Sequence, residues 1–98
     1  MTHAENHLTL MLALDPTHWR ADDKAGWATS LVGAVDAAAP HLLRVESYEL
    51  RDTIIYVRMR TDQPRSKIRK LLREDDALRR LRARLADLGA RPEFEVET

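Results

Sequence analysis

The sequence predicts an α+β fold in which four strands form one layer and helices form the other. Three observations predict it. Leu8, Leu10, Leu12 and Leu14 alternate with Thr9, Met11 and Ala13, a period of two that belongs to a strand with one buried face. Apolar residues then recur at helical spacing over 28–38 and again over 68–88, which marks amphipathic helices. Residues 42–61 and 93–97 return to alternation. The order is therefore strand, helix, strand, strand, helix, strand.

Asp15-Pro16 is expected to end the first strand, because Pro16 has no N–H to give a ladder and Asp favours turns. Asp22 or Asp23 is placed to cap the first helix, where a carboxylate accepts orphan N–H groups and complements the dipole. Ala28, Leu31, Val35 and Ala38 form its apolar stripe, flanked by Trp27. Pro40 closes it, since the residue before a proline avoids the helical region.

Residues 42–61 read as a hairpin. A three-residue turn at Arg51-Asp52-Thr53 sets Leu50 opposite Ile54. Val45, Ile55, Val57 and Met59 then share one face with Leu43 at its end, while the other face pairs Tyr48 with Tyr56, Glu46 with Arg58 and Arg44 with Arg60. Aromatic and opposite-charge pairs across the strands favour this register over a two-residue turn.

Residues 64–89 cannot form one straight helix. Ile68, Leu71 and Leu72 centre on one direction, and Leu78, Leu81, Leu85 and Leu88 on another, roughly 100° away at the helical advance per residue. A break at Glu74-Asp75-Asp76 resolves the conflict, with Asp75 or Asp76 capping the second piece and Gly89 ending it. Phe94 and Val96 alternate with Glu93, Glu95 and Glu97 in the last strand. This order resembles the βαββαβ layout of ferredoxin-like domains, which implies strand order 4-1-3-2 with helices on one face; a KH-like arrangement is the alternative. The likeness spans residues 1–98 as one domain, with 1–6 as a frayed tail, and is one of layout without a family motif.

Composition narrows the chemistry. The 98 residues hold no cysteine, so disulfides, thiolate ligands and cysteine nucleophiles are excluded. The three glycines, Gly26, Gly33 and Gly89, are isolated and make no phosphate loop. No nucleophile elbow surrounds a serine, no metal site is expected from the lone His3/His7 and His18/Asp22 pairs, and no cofactor is expected. The stretch Leu8–Leu14 is too short to span a bilayer, so the expectation is a cytoplasmic protein with no membrane partner. Asp15, His18 and Tyr56 are the best candidates for an acid–base site in a small pocket, but a chain this small has little volume for one, and a non-enzymatic role is preferred.

Two surfaces remain. The open side of the sheet is expected to carry Met11, Tyr48, Leu50, Ile54 and Tyr56, with Arg58, between a glutamate edge and an arginine edge. Apolar and aromatic residues inside a charged rim describe a protein interface, either with a partner protein or between two copies in a homodimer. The alternative is nucleic acid. Residues 64–91 carry ten basic and four acidic side chains, and Arg65, Arg69, Arg73, Arg80 and Arg84 could neutralise phosphates. The same charge is also ordinary for a solvated helix.

Overall fold

The computed structural model describes residues 6–15, 24–38 and 42–96. The strands are β1 (Asn6–Leu14), β2 (Arg44–Arg51), β3 (Ile54–Thr61) and β4 (Ala90–Val96). The helices are α1 (Lys24–Ala38), α2 (Arg65–Glu74) and α3 (Asp76–Asp87). The strands form one sheet in the order β2-β3-β1-β4, and every neighbouring pair is antiparallel.

One face of this sheet is the floor of the core. Leu8, Leu10, Leu12 and Leu14 of β1 are buried beside Ile55, Val57 and Met59 of β3. Pairing of Leu10 with both Val57 and Phe94 carries the same face onto β4. The helices cover it with Ala28, Leu31, Val32 and Val35 from α1, Ile68 and Leu72 from α2, and Leu78, Leu81 and Leu85 from α3. Leu88, expected on the buried stripe of α3, instead follows the helix and is 36% exposed.

The break in the second helical stretch falls where the two leucine directions diverge. Asp75 has an extended backbone, φ −66° and ψ 127°. Its N–H still donates to the Leu71 carbonyl at 2.9 Å, completing α2, while its Oδ1 accepts from the N–H groups of Ala77 at 2.9 Å and Leu78 at 3.2 Å. One aspartate thus ends one helix and begins the next, and such an N-cap contributes about 1 kcal/mol. At the other end, Gly89 takes φ 75° and donates to the Ala86 carbonyl, a left-handed exit that glycine adopts without strain. Its own carbonyl receives the Asp15 N–H at 2.7 Å, tying the helix exit to the end of β1. β4 then starts at Ala90, and Pro92 is tolerated within it because β4 is an edge strand.

The hairpin departs from the expected register. Arg51 pairs with Ile54 and Leu50 with Ile55, so the turn has two residues, Asp52 and Thr53, with Asp52 at φ 56°. Aspartate is among the few side chains that tolerate that region. A two-residue turn alone would send Val45 to the wrong side. A β-bulge between Val45 and Ser47 corrects this, because one extra residue reverses the alternation beyond it. Val45 pairs with Met59, Ser47 with Arg58 and Tyr48 with Val57. The inward side chains of β2 are therefore Val45, Tyr48 and Leu50.

At the start of β1, Asn6 belongs to the strand rather than to a frayed tail: its Nδ2 donates to the Gln63 carbonyl at 2.9 Å. Residues 1–5, the proposed caps Asp22 and Asp23, the turn residue Pro16 and the helix-ending Pro40 lie outside the described residues.

Candidate functional site

The face of the sheet away from the helices is built from the residues between the buried ones. Paired residues of an antiparallel ladder project to the same side, so the register fixes which side chains meet. One row runs Glu49, Tyr56, Met11, Glu93 across β2, β3, β1 and β4. The next runs Arg51, Ile54, Ala13, Arg91. On the other side of the first lies Ser47, Arg58, Thr9, Glu95. Tyr56, Ile54 and Met11 are each partly exposed, and together with Ala13 they make the apolar centre. The two edge strands carry charge on either side of it, and Arg58 of β3 stands in the third row.

Of the expected surface, Met11, Ile54, Tyr56 and Arg58 share this open face. Tyr48 and Leu50 do not. Beyond the bulge they turn to the helix side, where Leu50 packs against the core and Tyr48, 46% exposed, lines a hollow with Val32, Gly33 and Asp36 of α1. The expected Tyr48–Tyr56 pair is replaced by Tyr48–Val57 and Glu49–Tyr56. The division into a glutamate edge and an arginine edge is also corrected: β2 presents Glu49 and Arg51, and β4 presents Arg91 and Glu93. Each edge carries both signs, with Glu95 following Glu93 on β4. Glu97 lies outside the described residues.

The edge charges are organised within the chain. Arg51 Nη2 lies 3.0 Å from Glu49 Oε2, and its guanidinium sits 5.8 Å from the centre of the Tyr56 ring, within cation–π range. The hydrogen bond to Glu49, and then its charge, raise the Arg51 pKa above the ordinary value. Near the start of β1, His7 Nε2 lies 3.1 Å from Glu46 Oε1, reaching over β3 on the same open face.

The basic residues of the helices divide between two places. Arg69 and Arg73 of α2 join Arg82 of α3 around a shallow hollow beside Phe94, with the Arg82 guanidinium 5.4 Å from the Phe94 ring centre. Arg80 and Arg84 line a different hollow, against Ser30, Gly33 and Ala37 of α1. Arg65 opens α2. The five arginines proposed for nucleic acid thus do not form one continuous stripe.

The acid–base candidates are not assembled around a pocket. Tyr56 faces away from the helices, so it cannot line a cavity between the two layers. His18 lies outside the described residues, as does His3. Among the described residues no group of three histidine, aspartate or glutamate side chains could hold a metal ion, and no helix is long and apolar enough to cross a membrane. No protein-family model matches the chain, and comparison with curated proteins returns no match.

Proposed function

We propose that the chain is a non-enzymatic interaction module of the cytoplasm, a ferredoxin-like sandwich that docks a protein surface with its open sheet face. The observation that carries this reading is the grid of Tyr56, Met11, Ile54 and Ala13 held between Glu49 and Arg51 on one edge strand and Arg91 and Glu93 on the other. A central apolar and aromatic cluster with a charged rim is the anatomy of a protein interface, and tyrosine and arginine are residues that dominate binding energy in such surfaces. The core does not need these side chains: Leu10, Leu12, Ile55 and Val57 already fill the opposite face.

Tyr56→Glu is the direct test. It places a charge at the centre of the grid, and association is expected to weaken by more than tenfold, since a buried unpaired carboxylate costs several kcal/mol. The fold is expected to survive, because the ring is partly exposed and outside the core. Sedimentation with a denaturant titration separates the two effects. A wild-type chain that stays monomeric at high concentration and captures no partner contradicts the reading.

The alternative is nucleic-acid binding at the hollow of Arg69, Arg73 and Arg82, favoured by the three cations grouped there. It is the weaker reading, because Arg80 and Arg84 open onto another surface and Glu95 lines the same hollow.

A further inference from the structure

We infer that the occupant of the open face is a second copy of this chain, related by a two-fold axis that runs across the strands midway between the Tyr56 row and the Ile54 row. This rests on the interaction-face reading and adds to it the partner and the pairing.

The inference comes from where the charges stand. Glu49 and Glu93 occupy the two ends of one row, and Arg51 and Arg91 occupy the two ends of the next. β2 and β4 run in opposite directions, so the sequence order is Glu-x-Arg on one edge and Arg-x-Glu on the other. The two rows nevertheless match: acid, apolar, apolar, acid, then base, apolar, apolar, base.

Face-to-face dimers of such a sheet have few symmetric solutions, because the same patch must meet itself. A two-fold axis parallel to the strands lays β2 on the partner's β4, setting Glu49 over Glu93 and Arg51 over Arg91. An axis across the strands but through the Tyr56 row sets Glu49 over Glu49 and Glu93 over Glu93. Like charges placed opposite one another repel in both arrangements. Moving that axis by half a row changes every contact. Glu49 then meets Arg51, Glu93 meets Arg91, Tyr56 meets Ile54 and Met11 meets Ala13, each pair occurring twice. The Glu49–Arg51 ion pair, 3.0 Å long within one chain, becomes half of a ring of four alternating charges, and the Arg91 and Glu93 edge forms a second such ring.

The geometry allows it. Two packed sheets lie about 10 Å apart with strands within about 30° of alignment, a gap that arginine and glutamate span together. Four strands of about eight residues offer a face of roughly 20 by 25 Å, so a dimer covers on the order of 1,000 Å² in total, the lower end of a specific interface. The association is therefore reversible and salt-sensitive.

Charge-reversed chains test this pairing. One variant carries Glu49→Arg with Glu93→Arg, and the other carries Arg51→Glu with Arg91→Glu. By sedimentation velocity, the wild type is expected to dimerise, and each variant alone to associate at least tenfold more weakly, since both of its rows bear one sign. An equimolar mixture of the two is expected to restore a dimer, which also shows that both chains are folded. A chain with all four substitutions keeps the alternation and is expected to dimerise as the wild type does. The inference is overturned if the wild type is monomeric to millimolar concentration, or if each double variant dimerises as the wild type does. In the latter case Tyr56→Glu separates the two levels. Loss of dimer there leaves the face in use with a different pairing, and retention removes the face as well.

Discussion

Replacing Leu10 with alanine is expected to lower the unfolding free energy by about 3 kcal/mol, whereas replacing its neighbour Met11 lowers the stability of the monomer by less than about 1 kcal/mol. Leu10 is fully buried at the middle of a central strand. It lies between Val57 on β3 and Phe94 on β4, beneath the helices. Truncation removes its transfer free energy and leaves a cavity that its neighbours on β3, β4 and the helices fill only in part. Met11 lies between Tyr56 and Glu93 on the other face and is partly exposed. A loss of that size is a large share of the roughly 5–15 kcal/mol that holds a small domain together. Urea titration of the two variants, below the concentration at which the chain self-associates, measures the contrast. Equal losses at the two positions would mean that the sheet is covered on both sides.

The second large effect concerns the bulge. Deleting Ser47 is expected to leave a cooperative fold with an intact core, while deleting Arg58 of β3 is expected to cost more than about 2 kcal/mol. Val45, Tyr48 and Leu50 all face the helices, although the first two are three positions apart and the last two are two positions apart. The extra residue at the bulge reconciles those spacings. Without Ser47 the strand alternates regularly from Val45 through Glu46 to Tyr48, so the downstream register is kept. Without Arg58 the alternation breaks on β3, whose register against β1 is regular and has no bulge to absorb the loss. Met59 turns to the open face and Arg60 turns toward the core, forfeiting about 2 kcal/mol of apolar burial and adding the desolvation of a guanidinium. Denaturant midpoints for the two deletions decide the point. Equal tolerance, or the reverse order, contradicts the register.

Much of the architecture was legible because it depends on local periodicity. The leucines of β1 announce their face directly, and the drift between Leu72 and Leu78 announces a broken helix whose cap the structure places at Asp75. The hairpin was less legible. Unbroken alternation was assumed for β2, and a bulge is invisible to any reading that holds the period at two. The signal that could have exposed it is the run Val45-Glu-Ser-Tyr48-Glu-Leu50, whose apolar residues cannot share a face unless one residue is skipped. That single residue decided half of the candidate surface. Met11, Ile54, Tyr56 and Arg58 stand on strands with regular alternation and share the open face. Tyr48 and Leu50 fall on the helix side instead, and Glu49 and Arg51, which flank the apolar centre of the open face, were overlooked. Arg91 was missed for a different reason, since β4 begins at Ala90, before Pro92 rather than after it.

The most direct measurement is an isotope-filtered nuclear Overhauser experiment on a mixture of labelled and unlabelled wild-type chains, read at the Met11 methyl. The expected result is a cross-peak between Met11 of one protomer and Ala13 of the other, growing with concentration. A Met11 methyl that shows no contact with a second chain while the protein is dimeric, or one that contacts helix residues instead, would contradict a pairing of two open faces.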